Sequence, residues 1–434
     1  MKRLLYFFSI AIAFAGCDSS VSIEDPEKSA FIKYYGLDGD QTGKDLVVLP
    51  NGDMVLFGTT RPTVPAHGTQ WYVVRVDQKG KVLWEKEFGG NNDEEARDIE
   101  LTAAGQLALA GNSYSSAGNR DVMVILLSTD GAKLDSATFP VYNTSGIDAL
   151  GDEDVTSITE SSDGFLIAGS TTYVGLTGKP AGTGFDPRDA LIIRLDVNLN
   201  PYGNGWPLLS TVGYDADDVT QKIIEISPTE FYVFGFTNQP KVDLTATDYN
   251  YWAFAIGATG VPTNAQYFIG VPSADERASS FVLSPTGSVP GYLVGGISES
   301  SSGLTNFYIV KIATPFFFSV DDILLQTPLS INLGTGLSGR TAVASSQNVG
   351  FFVLGEENGF DNNQNWILTK INTDGSLAWN FPIVYGGEGM DECGAVQELP
   401  DGRVVIIGTM RTGRPDAGEF KLTLIKVSAE GKFE

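Results

Sequence analysis

The stretch Asp45-Leu46-Val47-Val48-Leu49-Pro50-Asn51-Gly52-Asp53-Met54-Val55-Leu56-Phe57-Gly58 shows how this chain is built. An apolar run passes through a tight turn into a second apolar run that ends in glycine, which is typical of a β-hairpin. Successive copies of the final glycine lie 53 to 66 residues apart and cover nearly the whole chain. The other six copies end at Gly111, Gly169, Gly235, Gly295, Gly355 and Gly408.

Each copy contains the pattern of four strands. After the hairpin comes a third apolar run such as Trp71–Val76, then a turn at Asp77–Gly80, then a fourth run such as Val82–Phe88. Four-stranded antiparallel sheets repeated around an axis form a β-propeller. We therefore predict an all-β, seven-bladed β-propeller of four-stranded antiparallel blades, with an open solenoid of the same repeats as the alternative.

The two ends of the chain complement each other. The seventh copy stops at Glu430–Glu434, where its fourth strand should begin, whereas Ala30–Gly36 has the pattern of the fourth run Leu83–Gly89. We predict that this N-terminal segment completes the last blade and closes the ring, because closure leaves no open sheet edge. Residues 30–434 are then a single propeller domain.

The first residues carry a targeting pattern. Two basic residues precede an apolar run, Leu4–Phe14, which is too short to span a bilayer as a mature helix. The run leads to Ala15-Gly16-Cys17, where small residues precede a cysteine. We predict a lipoprotein signal peptide at residues 1–16, lipidation of Cys17 and a flexible tether at residues 17–29; an ordinary signal peptide with a chance cysteine is the alternative.

The repeats resemble those of bacterial propeller-repeat lipoproteins common in Bacteroidota. The shared pattern is Trp-x-x-x-Phe-Gly-Gly, an acidic residue, then Asp-Gly and a second glycine, and it is best kept by Trp84–Gly111 and Trp379–Gly408. The resemblance implies an outer-membrane lipoprotein displayed at the cell surface. Such families mostly act as binding or assembly platforms, although a fold alone does not choose a function.

Composition excludes several functions. The 434 residues carry a formal charge of −25, which repels nucleic acid. His67 is the single histidine, so mechanisms and metal sites that need two are excluded. Cys393 lies among small apolar residues and is predicted to be a buried structural thiol.

Long, polar loops are expected on one face of the propeller, between second and third strands. Loops grouped on a rigid scaffold are where binding usually occurs. The longest is Ser170–Arg188, and it combines two aromatic side chains with two cations. We predict that it binds a ligand or partner through Tyr173, Lys179, Phe185 and Arg188.

Two other recurrent features are interpreted as structural. Trp71, Trp252 and Trp366 open equivalent third strands, which indicates packing between blades. Acidic clusters precede the opening strands and are expected to cap backbone amides, with calcium binding as the weaker alternative. These clusters are Asp93-Glu94-Glu95, Asp152-Glu153-Asp154, Asp217-Asp218, Asp275-Glu276 and Asp391-Glu392.

The sequence thus predicts a surface lipoprotein that binds an outer-membrane protein or complex and is not an enzyme. A carbohydrate- or nutrient-binding lipoprotein is the alternative, and it would use Tyr173, Phe185 and Phe360 as exposed aromatics. A propeller hydrolase or lyase ranks third, because paired carboxylates are present but no catalytic set stands out. No catalytic residue and no cofactor is predicted.

Overall fold

The computed structural model describes residues 30–434 with gaps. The gaps are 62–66, 117, 140–150, 173–187, 204–209, 213–215, 239–247, 264–265, 285–290, 314–322, 330–336, 348–349, 359–362, 388 and 414–417. The predicted signal peptide, the lipidation site Cys17 and the tether therefore lie outside the described residues.

The described residues form seven four-stranded antiparallel sheets, each with its strands in chain order except the last. Blade 1 contains β2 (Asp40–Val48), β3 (Met54–Arg61), β4 (Gln70–Val76) and β5 (Val82–Phe88). Blade 2 contains β6 (Glu94–Leu101), β7 (Gln106–Tyr114), β8 (Arg120–Ser128) and β9 (Lys133–Phe139). Blade 3 contains β10 (Glu153–Ser161), β11 (Gly164–Thr171), β12 (Asp189–Asp196) and β13 (Ser210–Val212). Blade 4 contains β14 (Asp218–Ser227), β15 (Glu230–Thr237), β16 (Asn250–Gly257) and β17 (Tyr267–Ile269).

The remaining blades follow the same plan. Blade 5 contains β18 (Ala274–Ser284), β19 (Gly291–Ser300), β20 (Thr305–Ala313) and β21 (Ile323–Leu329). Blade 6 contains β22 (Leu337–Ser345), β23 (Phe351–Asn358), β24 (Gln364–Ile371) and β25 (Ile383–Tyr385). Blade 7 contains β26 (Glu392–Glu398), β27 (Val404–Thr412), β28 (Glu419–Val427) and, at its outer edge, β1 (Phe31–Tyr35). The predicted seven-bladed β-propeller is confirmed.

Ring closure by the N-terminal strand is also confirmed. β1 runs antiparallel to β28, with Phe31 opposite Lys426 and Tyr35 opposite Leu422. The buried Tyr35 hydroxyl donates a hydrogen bond of 2.9 Å to the carbonyl of Gly80 in blade 1. The first strand therefore joins the last blade to the first.

The apolar core lies between neighbouring blades. The second and third strands of each blade are almost continuously apolar, because both of their faces pack against a neighbour. Trp71 of blade 1, for example, is fully buried in a cluster with Leu107 and Leu109 of blade 2. Trp252 and Trp366 are buried in the same way, so the predicted core role of these tryptophans is confirmed.

The repeated glycine is required by close approach. A Cβ at Gly58 would lie 1.7 Å from the carbonyl oxygen of Thr42 on the adjacent strand, and one at Gly408 would lie 2.4 Å from the Trp366 ring. In blade 5 the structure shifts the motif by one residue: Gly296, and not Gly295, stands opposite the last residue before the bulge of β18.

No helix among the described residues has the length and apolar character needed to cross a membrane.

Candidate functional site

The innermost strands interrupt their pairing at one common position. A β-bulge separates Gly43 from Asp45 in blade 1, and its counterparts occur in blades 2 to 5 and 7. Bulges re-aim side chains, and the residue after each bulge lines a cavity of about 400 Å³ in the central channel. In these six blades it is Asp45, Asp98, Ser157, Lys222, Ser280 and Ala395.

Three of these residues and one neighbour form a charged group, which we call the channel cluster: Asp45, Asp98, Glu100 and Lys222. The side chain of Asp45 is hydrogen-bonded to that of Asp98. The Lys222 Nζ atom lies 3.4 Å from an oxygen of Asp98 and 3.9 Å from one of Glu100. Three carboxyl groups and one ammonium group from blades 1, 2 and 4 thus meet beside the cavity.

Backbone hydrogen bonds between blades hold the cluster in place. The amide of Ile99 donates to Asp45 Oδ2 at 3.2 Å, and that of Ile158 donates to Asp98 Oδ2 at 2.8 Å. The Lys222 ammonium donates to the Ile158 carbonyl at 2.8 Å. Each charged side chain therefore reaches the inner strand of another blade, so the packing of the ring fixes the positions of the charges.

Burial and neighbouring charges shift the pKa values of Asp45, Glu100 and Lys222. Burial, together with the charge of Asp98 and the hydrogen bond to it, raises the pKa of Asp45 well above its usual range. Burial also raises the pKa of Glu100 to about 7, although the Lys222 charge opposes this. Burial lowers the pKa of Lys222, but the neighbouring carboxylates outweigh it and the net shift is upward. The cluster thus combines a carboxyl group with a strongly raised pKa and a carboxyl group paired with a cation.

A second cavity, of about 520 Å³, opens on the face of the long loops. We call it the vestibule. Lys44 and Arg97 line it, and they immediately precede Asp45 and Asp98 in the two bulges that reach the channel cluster. The vestibule therefore shares its inner wall with the cluster. Its other lining residues are Asp40, Thr42, Thr59, Arg61, Thr69, Asp93, Glu95, Tyr114, Glu392, Thr409 and Phe420.

The residues predicted to bind a ligand fall mostly outside the described residues. Tyr173, Lys179 and Phe185 lie in the gap at 173–187, and Phe360 lies in the gap at 359–362. Arg188 is described, and its guanidinium donates to both oxygens of Asp217 at 2.8 and 2.7 Å. This residue links blades 3 and 4 and does not belong to the channel cluster or the vestibule.

The predicted capping role of the acidic clusters is seen in the structure. The amide of Thr69 donates to Asp93 Oδ1 at 2.6 Å, and the amide of Tyr249 donates to Asp275 Oδ1 at 2.9 Å. Each carboxylate thus accepts from the chain just before or at the start of a third strand in the preceding blade. In the described part of the chain, no group of three or more His, Cys, Asp or Glu side chains is placed to hold a metal ion.

His67 and Cys393 line neither cavity, and Cys393 is buried as predicted. His67 is exposed in the loop after β3. Cys393 is buried between blades 6 and 7, where its amide donates to Glu356 at 2.9 Å. Neither contributes to the channel cluster.

The channel cluster was missed by sequence reasoning, although a signal for it exists. Asp45, Asp98 and Lys222 each stand five residues after an acidic residue that begins an opening strand or directly precedes one. Those acidic residues are Asp40, Asp93 and Asp217. The sequence predicted capping or calcium binding for the clusters that contain Asp93 and Asp217, and no role for the residue five positions further on.

Comparisons with known proteins find structural likeness at low sequence identity. No family model and no curated protein matches the chain. A protein of unknown function from Dyadobacter fermentans is similar over 93% of this chain and 98% of its own, at 11% identity and a TM-score of 0.46. Extracellular domains 1–2 of Drosophila Semaphorin 1a are similar over 92% and 88%, at 8% identity and a TM-score of 0.47. Penicillium chrysogenum alpha-L-arabinanase is similar over 92% and 99%, at 11% identity and a TM-score of 0.42.

The names of these structures contradict two linked predictions. Other similar structures are named as a glucose dehydrogenase, an alpha-L-arabinofuranosidase from Fusarium graminearum and a levansucrase from Bacillus subtilis. The named structures are thus mainly enzymes, whereas the sequence favoured a protein-binding scaffold and set catalysis aside. These names contradict both the predicted scaffold function and the predicted absence of enzyme activity, and the propeller gives no physical reason for either prediction.

Proposed function

We propose that this protein is an enzyme that uses the channel cluster for acid–base catalysis of hydrolysis or elimination. The observation that carries the proposal is the hydrogen-bonded pair of Asp45 and Asp98 beside a cavity of about 400 Å³, with Lys222 3.4 Å from Asp98. Two carboxyl groups are suited to act as an acid and a base when their environments give them different pKa values.

The roles follow from the contacts. Asp45 is the proton donor to a leaving oxygen, because burial and the negative charge of Asp98 raise its pKa. Asp98 is paired with Lys222 and can accept a proton from water or from a substrate carbon. The direct hydrogen bond between the two carboxyl groups lets the accepted proton return to Asp45 after product leaves.

The Asp45→Asn variant tests this mechanism. Asparagine keeps the size and the hydrogen-bonding capacity but cannot supply the proton, so we expect kcat/KM to fall by about 10²- to 10⁴-fold. The measurement is turnover of nitrophenyl glycosides, esters and phosphates by the purified protein, with polysaccharide elimination followed by ultraviolet absorbance of unsaturated product.

Glu356→Gln provides the matched control. Burial also raises the pKa of Glu356 to about 7, but this residue is on β23 and lines neither cavity. We expect it to keep turnover within a few-fold of wild type. Equal turnover by wild type and Asp45→Asn, or no turnover of any probe by wild type, would contradict the proposed function.

We also propose that the protein is a lipid-anchored outer-membrane protein displayed at the cell surface. The support is the sequence of residues 1–17, in which a short apolar run ends in Ala15-Gly16-Cys17, together with the repeats that resemble those of Bacteroidota lipoproteins. A multiply acylated cysteine binds a bilayer firmly, because each buried methylene contributes about 0.8 kcal/mol.

Metabolic labelling with a fatty-acid analogue tests the anchor. We expect wild type to incorporate the label and to sediment with membranes, and Cys17→Ser to do neither, because the thiol that carries the lipid is gone. Cys393→Ser is the control and should be labelled like wild type, because Cys393 is buried in the propeller. Labelling of Cys17→Ser would refute the lipid anchor.

A further inference from the structure

We propose that the vestibule binds an uncharged saccharide chain and presents it to the channel cluster. This inference rests on the proposed function, because it names the substrate class for the same site. The support for it is the set of residues that line the vestibule, which includes aromatic and hydroxyl side chains that the channel cluster lacks.

The charges of the vestibule argue against an ionic ligand. Three cations (Lys44, Arg61, Arg97) and four carboxylates (Asp40, Asp93, Glu95, Glu392) line one cavity. An anion or a cation of any length would meet like charges there, which disfavours binding. A neutral ligand with many hydroxyl groups can donate to the carboxylates and accept from the cations, so both kinds of charged group can serve as its partners.

The polar groups are already ordered before any ligand binds. Arg97 Nη2 lies 2.9 Å from Glu95 and 2.8 Å from Asp154, and its Nε donates to Asn112 at 3.2 Å. The Tyr114 hydroxyl donates to Glu95 at 3.0 Å. Because these side chains hold one another, a ligand loses little affinity to the cost of ordering them.

Aromatic surface completes the site. Tyr114 and Phe420 line the vestibule and are only partly buried, so part of each aromatic side chain can contact a sugar ring, although the Arg411 guanidinium lies 5.5 Å from the Phe420 ring centre. Arg61 is exposed at the end of β3, on the rim of the same cavity. With about 520 Å³ in the vestibule, the volume falls within the ~300–1,000 Å³ usual for ligand pockets.

Binding of defined oligosaccharides to the full chain tests the inference. The probes are one neutral series, one uronic-acid series and one glucosamine series, measured by calorimetry with Asp45→Asn so that turnover does not consume them. We expect a neutral oligosaccharide to bind and the two charged series to bind more weakly.

Tyr114→Ala in the same background should weaken that binding about tenfold, because it removes a stacking face and a partner of Glu95. Phe381→Ala is the control: Phe381 is 80% exposed near β25, lines neither cavity and should leave affinity unchanged. Absence of saccharide binding, preference for a charged series, or indifference to Tyr114→Ala would overturn the inference.

The two proposals fail in different ways. If wild type turns over a nitrophenyl ester or phosphate and no saccharide binds, the substrate class is wrong and acid–base catalysis stands. If a neutral saccharide binds and loses affinity in Tyr114→Ala, but wild type turns over no probe, the vestibule stands and the catalytic function is wrong.

Discussion

A chain that begins at Leu37 is expected to lose the cooperative unfolding of the intact protein. It lacks β1, whose five residues pair with β28 and close the ring. The loss includes the burial of Tyr35, at about 2 kcal/mol, and several backbone hydrogen bonds at about 1 kcal/mol each. Because a whole domain is stable by only about 5–15 kcal/mol, losing this strand removes a large share of that stability.

The measurement is thermal and denaturant unfolding followed by circular dichroism, with aggregation followed by light scattering. A chain that begins at Ala30 keeps β1 and is the control, which should unfold like the full chain. Loss of β1 also exposes an edge of β28, so we expect the shorter chain to aggregate. Unchanged unfolding of the chain that begins at Leu37 would show that β1 does not close the ring.

A milder variant tests the same contact in a folded protein. Tyr35→Phe removes the hydrogen bond to the Gly80 carbonyl and keeps the ring, so we expect a loss of about 1 kcal/mol in the free energy of unfolding. Tyr34→Phe is the matched control: Tyr34 is the neighbouring residue on β1 and is 52% exposed, and its change should stay within about 0.5 kcal/mol.

The second large effect is expected from Lys222→Met. Removing this cation leaves Asp98 and Glu100 without their counter-charge beside the channel. Breaking a buried ion pair costs about 3–5 kcal/mol, and because 20% of the Lys222 side chain is exposed we expect about 2–3 kcal/mol near neutral pH. Turnover should fall as well, because Asp98 loses its ion-pair partner.

The stability deficit of Lys222→Met should depend on pH. The folded-state pKa of Glu100 is about 7, above its usual 4.5, so its favourable contribution is present below pH 4.5 and is lost as the pH rises through 7. Since Lys222 lowers this pKa, its removal raises the pKa further and increases the cost of ionising Glu100. The variant should therefore be much closer to wild type at pH 5 than at pH 8.

Denaturant unfolding at the two pH values measures this difference. Lys44→Met is the control, because Lys44 lies on an inner strand but pairs at 3.6 Å with a Glu392 side chain that is 53% exposed. Such a pair contributes about 0–1 kcal/mol, with little pH dependence between 5 and 8. A deficit for Lys222→Met that matches this control, or that is equal at both pH values, would show that the channel charges are not coupled.

Much of the fold could be predicted because its signals are local. The turn Pro50–Asp53, the apolar run before Gly58 and their six copies specify hairpins through neighbouring residues alone. Closure by Ala30–Gly36 was also predictable, since a missing fourth strand and a spare strand pattern occur at opposite ends. Blade 5 was misaligned by one residue, because Gly295-Gly296 offers two glycines and only the pairing with Ala278 selects the second.

The candidate site was not predictable in the same way. Lys222 and Asp98 are 124 residues apart and belong to different repeats with different sequences. They interact because the ring places equivalent residues of several blades around a common axis. The bulge in each inner strand turns the side chain of that residue toward the channel. The sequence predicted binding by the longest loop instead, and the central residues of that loop lie outside the described residues.

The sequence by itself determined the strands, the turns, the number of repeats and the source of the closing strand, because each depends on short-range patterns of apolar residues and glycine. Only the tertiary structure decided which charged residues meet. Closure of seven blades placed Asp45, Asp98 and Lys222 beside one cavity, with Glu100 next to Lys222, and burial raises the pKa values of Asp45 and Glu100. Burial and proximity are properties of the closed ring, and no single repeat contains them.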